Sequence, residues 1–187
     1  MFAVFYLANA MAPEISPDGS GYHLGLVSHY LREHGFVPIT DNLYAAMPGG
    51  MEMLFLFAFA FGRHSAAAMV HLAFFVALVW QVFSYARGRG FPIAGASAAL
   101  LVFASPVAGI DGASAYNDVA VAAIAFTLFH LLQIGDEDHN PRMLAAIGLV
   151  AGFAFATKYT AWPAVAYALG FVAVKDRKAL GDRKSVV

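Results

Sequence analysis

The chain has 187 residues, of which 60% are hydrophobic and 12% charged, with a formal net charge of −1. A soluble domain carries about 25% charged residues, so an all-round solvated surface is excluded and a bilayer is the expected solvent. The charge also excludes nucleic acid as a partner, because no basic patch is left to neutralise phosphates; the absence of Cys excludes disulfides and thiolate-bound metal.

Met1 to Ala12 is apolar but shorter than the roughly 20 residues a bilayer core requires. Ala10-Met11-Ala12 resembles a signal-peptidase site, yet the basic leader of a signal peptide is missing. A first transmembrane helix whose start has been clipped is the preferred reading. A polar loop follows from Pro13 to Pro48, in which Pro17-Asp18-Gly19-Ser20 marks a turn or helix start. Tyr22 to His34 is expected as an amphipathic surface helix, with Leu24, Val27, Tyr30 and Leu31 at helical spacing. Gly49 to Phe61, opened by Pro48 and closed by Gly62, is apolar but at least one turn too short to span. Five further apolar stretches run over 65–85, 91–110, 119–134, 143–157 and 159–174. Gly148, Gly152 and Ala156 form a ridge of small residues that permits close helix approach.

The expected fold is therefore all-α: a polytopic membrane helix bundle forming one transmembrane domain over 1–187, with short interfacial helices at about 20–34 and 49–61 in its first loop. If 49–61 does not cross, Arg87, Arg89, Arg142 and the tail Lys175, Arg177, Lys178, Arg183 and Lys184 share one side. The positive-inside rule makes that side the cytoplasm. Glu14, Asp18, Asp41, Glu52, Asp111 and Asp118 then face outward, which is where the first loop is expected.

Three polar residues next to apolar spans are candidates for chemistry: Asp18 in the loop, Asp118 after Ser114-Ala115-Tyr116-Asn117, and Lys158 between Thr157 and Tyr159. Ionisable residues at membrane depth are costly and tend to be functional or paired. Each also has a plain alternative. Asp18 can be a turn residue, Asp118 an N-terminal helix cap, and Lys158 a side chain reaching for the interface.

The loop Pro13-Glu14-Ile15-Ser16-Pro17-Asp18-Gly19-Ser20-Gly21-Tyr22-His23-Leu24 is similar to the Asp-x-x-x-Tyr-His-Leu loop of bacterial GT-C glycosyltransferases. Asp41-Asn42-Leu43-Tyr44 with Pro48 and Glu52-Met53-Leu54 resembles the next block, and Ala115-Tyr116-Asn117-Asp118 and Gly152 to Thr160 resemble two later ones. Those enzymes include the protein O-mannosyltransferases and the aminoarabinose transferases of lipid A. The resemblance implies the N-terminal part of a longer GT-C module, a cell-envelope transferase of the bacterial inner membrane with its site outside the cytoplasm. It implies a polyprenyl-phosphate sugar donor and a lipid, glycan or protein acceptor. Asp18 is the implied catalytic residue, acting on the acceptor, with Tyr22, His23, Glu52, Asp118, Lys158 and Tyr159 around the substrates. One departure is that Gly19 follows Asp18 where many relatives carry a second acid.

A carboxylate is needed to take the proton of an attacking hydroxyl, and a cation such as Lys158 where phosphate leaves. No metal ligand is assigned, although a divalent metal stays open. His23, His29 and His34 are expected near the surface helix, but neither pair has the i, i+4 spacing that aligns two ligands. His71 and His130 lie within spans and suit hydrogen bonding between helices. The rival functions are a small transporter or channel subunit, which paired charges at mid-membrane would favour, and a non-catalytic membrane scaffold.

Overall fold

The computed structural model describes the backbone of residues 1–137 and 141–184, and the side chains of 1–135 and 142–175. Among the described residues there is no strand. The helices are α1 (Phe2–Met11), α2 (Leu24–Arg32), α3 (Gly50–Gly88), α4 (Pro92–Ala104), α5 (Pro106–Gly112), α6 (Asp118–Glu137), α7 (Pro141–Thr157) and α8 (Trp162–Lys184). Two of them, α3 and α6, are long and apolar enough to cross a membrane, and α4 with α5 makes up to a third as a bent pair.

α3 is the central post, packed against α1, α2, α4, α5, α6 and α7. It is helical on both sides of a break at Gly62 and Arg63, where Arg63 takes the left-handed φ of 55°. The segment before the break lies under the first loop. Met51 and Phe55 from it pack with Leu24 and Val27 of α2 and with Ala67, Ala115 and Ala120. A second core joins α1 to the bundle. Tyr6 packs edge-on against Phe75 and Phe103, with ring centroids 5.5 Å apart in each pair, and its hydroxyl donates to the Phe103 carbonyl at 2.8 Å. Gly109 is required there, because a Cβ would overlap the Tyr6 ring. Leu128, Leu132, Ile147, Ala151 and Ala168 hold α6, α7 and α8 together. Leu100, Leu101, Val107, Leu149 and Leu169 are exposed, as the lipid face of a membrane bundle requires.

Three details differ from the sequence reading. The stretch 91–110 is not one rod: α4 and α5 meet at an angle of 66°. Pro106 has no N–H to continue α4, Ser105 is extended, and its hydroxyl accepts from the Ala108 N–H to start α5 instead. The surface helix opens with a π-turn over Gly19–His23 and ends at Arg32, so His34, with φ of 52°, lies outside it. The last span begins with a 3₁₀ turn over Tyr159–Ala161, and α8 continues to Lys184 rather than stopping at 174.

The two ends of the bundle differ in charge. At one end the Arg89 guanidinium donates to Gln133 Oε1 at 3.4 Å and Lys175 Nζ donates to the Gly135 carbonyl at 2.6 Å. These contacts bring the ends of α3 and α6 beside α8. The acids Asp18, Asp111 and Asp118 meet at the other end.

Candidate active site

The first loop is built by local hydrogen bonds that leave Asp18 unused. Ser16 caps the turn: its hydroxyl accepts from the Gly19 N–H at 3.0 Å, and Pro17 follows where a helix needs no donor. The Glu14 carboxylate accepts from the Ser16 N–H at 2.8 Å. Asp18 is therefore not the cap. Asn42 ties the second half of the loop to the first, donating to the Gly21 carbonyl at 3.0 Å while its side-chain oxygen accepts from the Tyr44 N–H at 3.0 Å. Tyr44 then stacks on Tyr22 with centroids 4.8 Å apart, and Tyr22 on His23 at 4.1 Å.

The other wall comes from the ends of three helices. The first N–H groups of α6 are satisfied by distant side chains. Val119 donates to Asp111 Oδ2 at 3.0 Å and Ala120 donates to His71 Nε2 at 3.1 Å. The cap role that is the plain alternative for Asp118 is thus filled by Asp111 and His71. The Asp118 carboxylate instead accepts from Lys158 Nζ at 2.6 Å. Lys158 stands in an extended break between α7 and α8. Gly50 lets this break approach, since a Cβ there would lie 2.8 Å from the Ala156 carbonyl oxygen.

His71 is fully buried, and its Nδ1 lies 2.8 Å from the Ser114 carbonyl. A carbonyl only accepts, so Nδ1 carries the proton and Nε2 is the acceptor for Ala120. The ring is neutral, and its 3.8 Å approach to Asp111 is not an ion pair.

These elements enclose a cleft of about 340 Å³. Asp18, Tyr22, His23, Asp118, Lys158 and Tyr159 line it, joined by Tyr44, Asp111 and Tyr116. Glu52 stands behind His23, with Oε1 at 2.5 Å from Nδ1 and both side chains buried. Burial, with the Glu52 carboxylate next in effect, raises the Tyr22 phenol well above its ordinary value near 10. Tyr22 therefore stays protonated at neutral pH, with the Glu52 carboxylate as a partner for its hydroxyl. Among the described residues no group of three or more His, Asp or Glu side chains is placed to hold a metal.

Asp111 and His71 carry roles that the sequence reading did not give them. Asp111 appeared only as one of the outward acids, and His71 as a helix-to-helix hydrogen-bonding residue. Both roles join positions distant in sequence, for which no local pattern exists. Tyr44 and Tyr116 belong to the segments 41–44 and 115–118 that resemble the GT-C loops.

Residues 48–186 match the model of the dolichyl-phosphate-mannose-protein mannosyltransferase family. The chain belongs to that family. Glu52, Asp111, Asp118, Lys158 and Tyr159 lie inside the matched span, and Asp18, Tyr22 and His23 precede it. No curated protein and no solved structure matches the chain. As a member of this family the chain is a membrane glycosyltransferase homologue of the GT-C type.

Proposed function

We propose that the cleft transfers a sugar from a polyprenyl-phosphate donor to a hydroxyl group presented outside the cytoplasm, with Asp18 as general base. The observation that carries this reading is the state of the four carboxylates around the cleft. Asp118 is held by Lys158, Asp111 by the Val119 N–H, and Glu52 by His23. Asp18 lines the cleft with its own turn capped by Ser16. Of the four it is the one with no hydrogen bond to its carboxylate among the described residues.

In this mechanism the acceptor oxygen attacks the anomeric carbon as its proton passes to Asp18. The bond from that carbon to the phosphate oxygen breaks, and its electron pair stays on the phosphate. Lys158 stabilises the charge that develops there. An ammonium has three donors, so one can remain on Asp118 while others face the phosphate. Tyr22, His23 and Tyr159 take no part in the proton balance and orient the reactants. A site between the amphipathic first loop and the helix ends suits a donor whose lipid tail stays in the bilayer. The bacterial inner membrane, with the cleft on its outer face, is the setting that fits.

The test is sugar transfer by the reconstituted protein from a radiolabelled polyprenyl-phosphate hexose. Asp18→Asn keeps the size of the side chain but removes the base. Transfer should fall by roughly 10²–10⁴-fold, the usual contribution of a general base, with membrane insertion and donor binding retained. Near-parental transfer by Asp18→Asn would remove Asp18 from the mechanism and favour a different base.

A further inference from the structure

Beside the cleft lies a second cavity of about 410 Å³. The two share Tyr22, Tyr44, Met47 and Pro48 as a wall. No Lys, Arg or His lines the second cavity, and Glu52 is the acid among its lining residues.

Glu52 is 2% exposed; Oε1 is bonded to His23, and Oε2 has no partner in full hydrogen-bond geometry, although the Tyr22 phenol also interacts with this carboxylate. A buried carboxylate oxygen left without a donor is costly, and such an oxygen at a cavity wall calls for a donor from a ligand. Gly49 keeps the approach open. A Cβ at that position would stand 3.7 Å from Oε2, so a larger side chain would cover it. Four aromatic rings stand among the remaining, aliphatic lining residues. Tyr22 and Tyr44 form one stacked pair, and Tyr30 meets Phe36 edge-on with centroids 5.1 Å apart.

We propose that this second cavity is a subsite for a pyranose ring with free hydroxyls, so that the acceptor is itself a glycan-bearing molecule. The inference rests on the sugar-transfer reading of the adjoining cleft. A sugar has apolar C–H faces that lie on aromatic rings, and edge hydroxyls that donate to a carboxylate. Ligand sites of this kind are mostly apolar, with a few fixed polar groups that set orientation. The His23 bond at Oε1 fixes the carboxylate and draws charge from it, which suits a neutral hydroxyl better than a cation. Tyrosine hydroxyls supply further partners. Because the wall is shared, a ring seated there lies next to the cleft that holds Asp18.

The protein in phospholipid nanodiscs, free of glycoside detergent, is probed by saturation-transfer difference NMR. The probes are methyl α-D-mannopyranoside, methyl β-D-glucopyranoside and a serine-containing heptapeptide. Saturation should pass to the ring protons of at least one glycoside. Tyr44→Ala, at a position 45% exposed and so tolerant of change, should weaken that binding about tenfold, equivalent to ~1.4 kcal/mol. Gly49→Val should abolish it while polyprenyl-phosphate binding persists. Glycosides that give no saturation, or that bind both variants as well as the parent, overturn the subsite. Binding of the peptide alone, lost in Gly49→Val, assigns the cavity to a polypeptide and overturns the glycan. None of these readouts involves transfer. Failure here is therefore distinct from failure of the Asp18→Asn test.

Discussion

The acids proposed to work in the cleft are those released from structural duty by their neighbours. Asp18 follows a turn capped by Ser16, and Asp118 opens a helix whose N–H groups go to Asp111 and His71. In the sequence both acids stand beside apolar segments, but nothing local separates cap from chemistry. That choice depends on partners 8 and 49 positions away from the N–H groups of α6. Gly19 is explained in the same way. A Cβ at that position would overlap the Glu14 carboxylate, so an acid four residues upstream of Asp18 occupies the space that a second acid after Asp18 would enter. Lys158 was legible as a break in an apolar run, and its partner was not. Its ion pair with Asp118 is 2.6 Å long, but the two side chains are 30% and 66% exposed. Such a pair contributes at most about 1 kcal/mol to stability. Lys158→Met should therefore leave thermal unfolding nearly unchanged, while polyprenyl-phosphate affinity drops by roughly 10- to 100-fold, the loss of one charge-assisted contact. Unchanged affinity in a binding titration would return Lys158 to a surface role.

At the scale of elements, hydropathy marks where helices are, because each must hide its backbone polar groups from lipid. It does not mark how they bend. The 66° turn between α4 and α5 follows from Pro106 and Ser105, two residues that an apolar window averages away. That bend sets α5 and the following turn against α1 and α3. Asn9 donates to the Ala113 carbonyl at 3.1 Å, and His71 to the Ser114 carbonyl. His71 thus joins α3, the 113–117 turn and the start of α6 with both ring nitrogens. His71→Ala would leave the Ser114 carbonyl and the Ala120 N–H without partners in a buried place. Each unpaired group costs roughly 1–3 kcal/mol, so the variant should unfold at lower temperature. Hydrogen exchange at Ala120 should also quicken. Asp111→Asn, which keeps a side-chain oxygen for the Val119 N–H, should be milder. Equal, small effects in both variants would mean that α6 is held by packing rather than by these caps.

For the molecule as a whole, the separation of charge is the feature that orients it. Arg89 and Lys175 sit at the end where α3 and α6 finish, while Asp18, Asp111 and Asp118 surround the cleft at the other. The sequence suggested this division through the break at Gly62, since a crossing before that glycine would reverse the side of everything after it. α3 does break at Gly62 and Arg63. From there to Gly88 it rises ~38 Å at 1.5 Å per residue, more than the ~30 Å hydrocarbon core. Under the proposed topology α3 crosses once between the first loop and the α3–α4 turn, and the positive-inside rule then puts the basic turn on the cytoplasmic side. Thr40 and Gly88 are both exposed, Gly88 has open space around it, and the chain has no Cys. Thr40→Cys should react with a membrane-impermeant maleimide in intact cells. Gly88→Cys should react only after the membrane is opened. Labelling of both positions in intact cells would put both ends on the same side and remove the single crossing, whereas labelling of Gly88→Cys alone would put the cleft in the cytoplasm, out of reach of a lipid-linked donor presented outside.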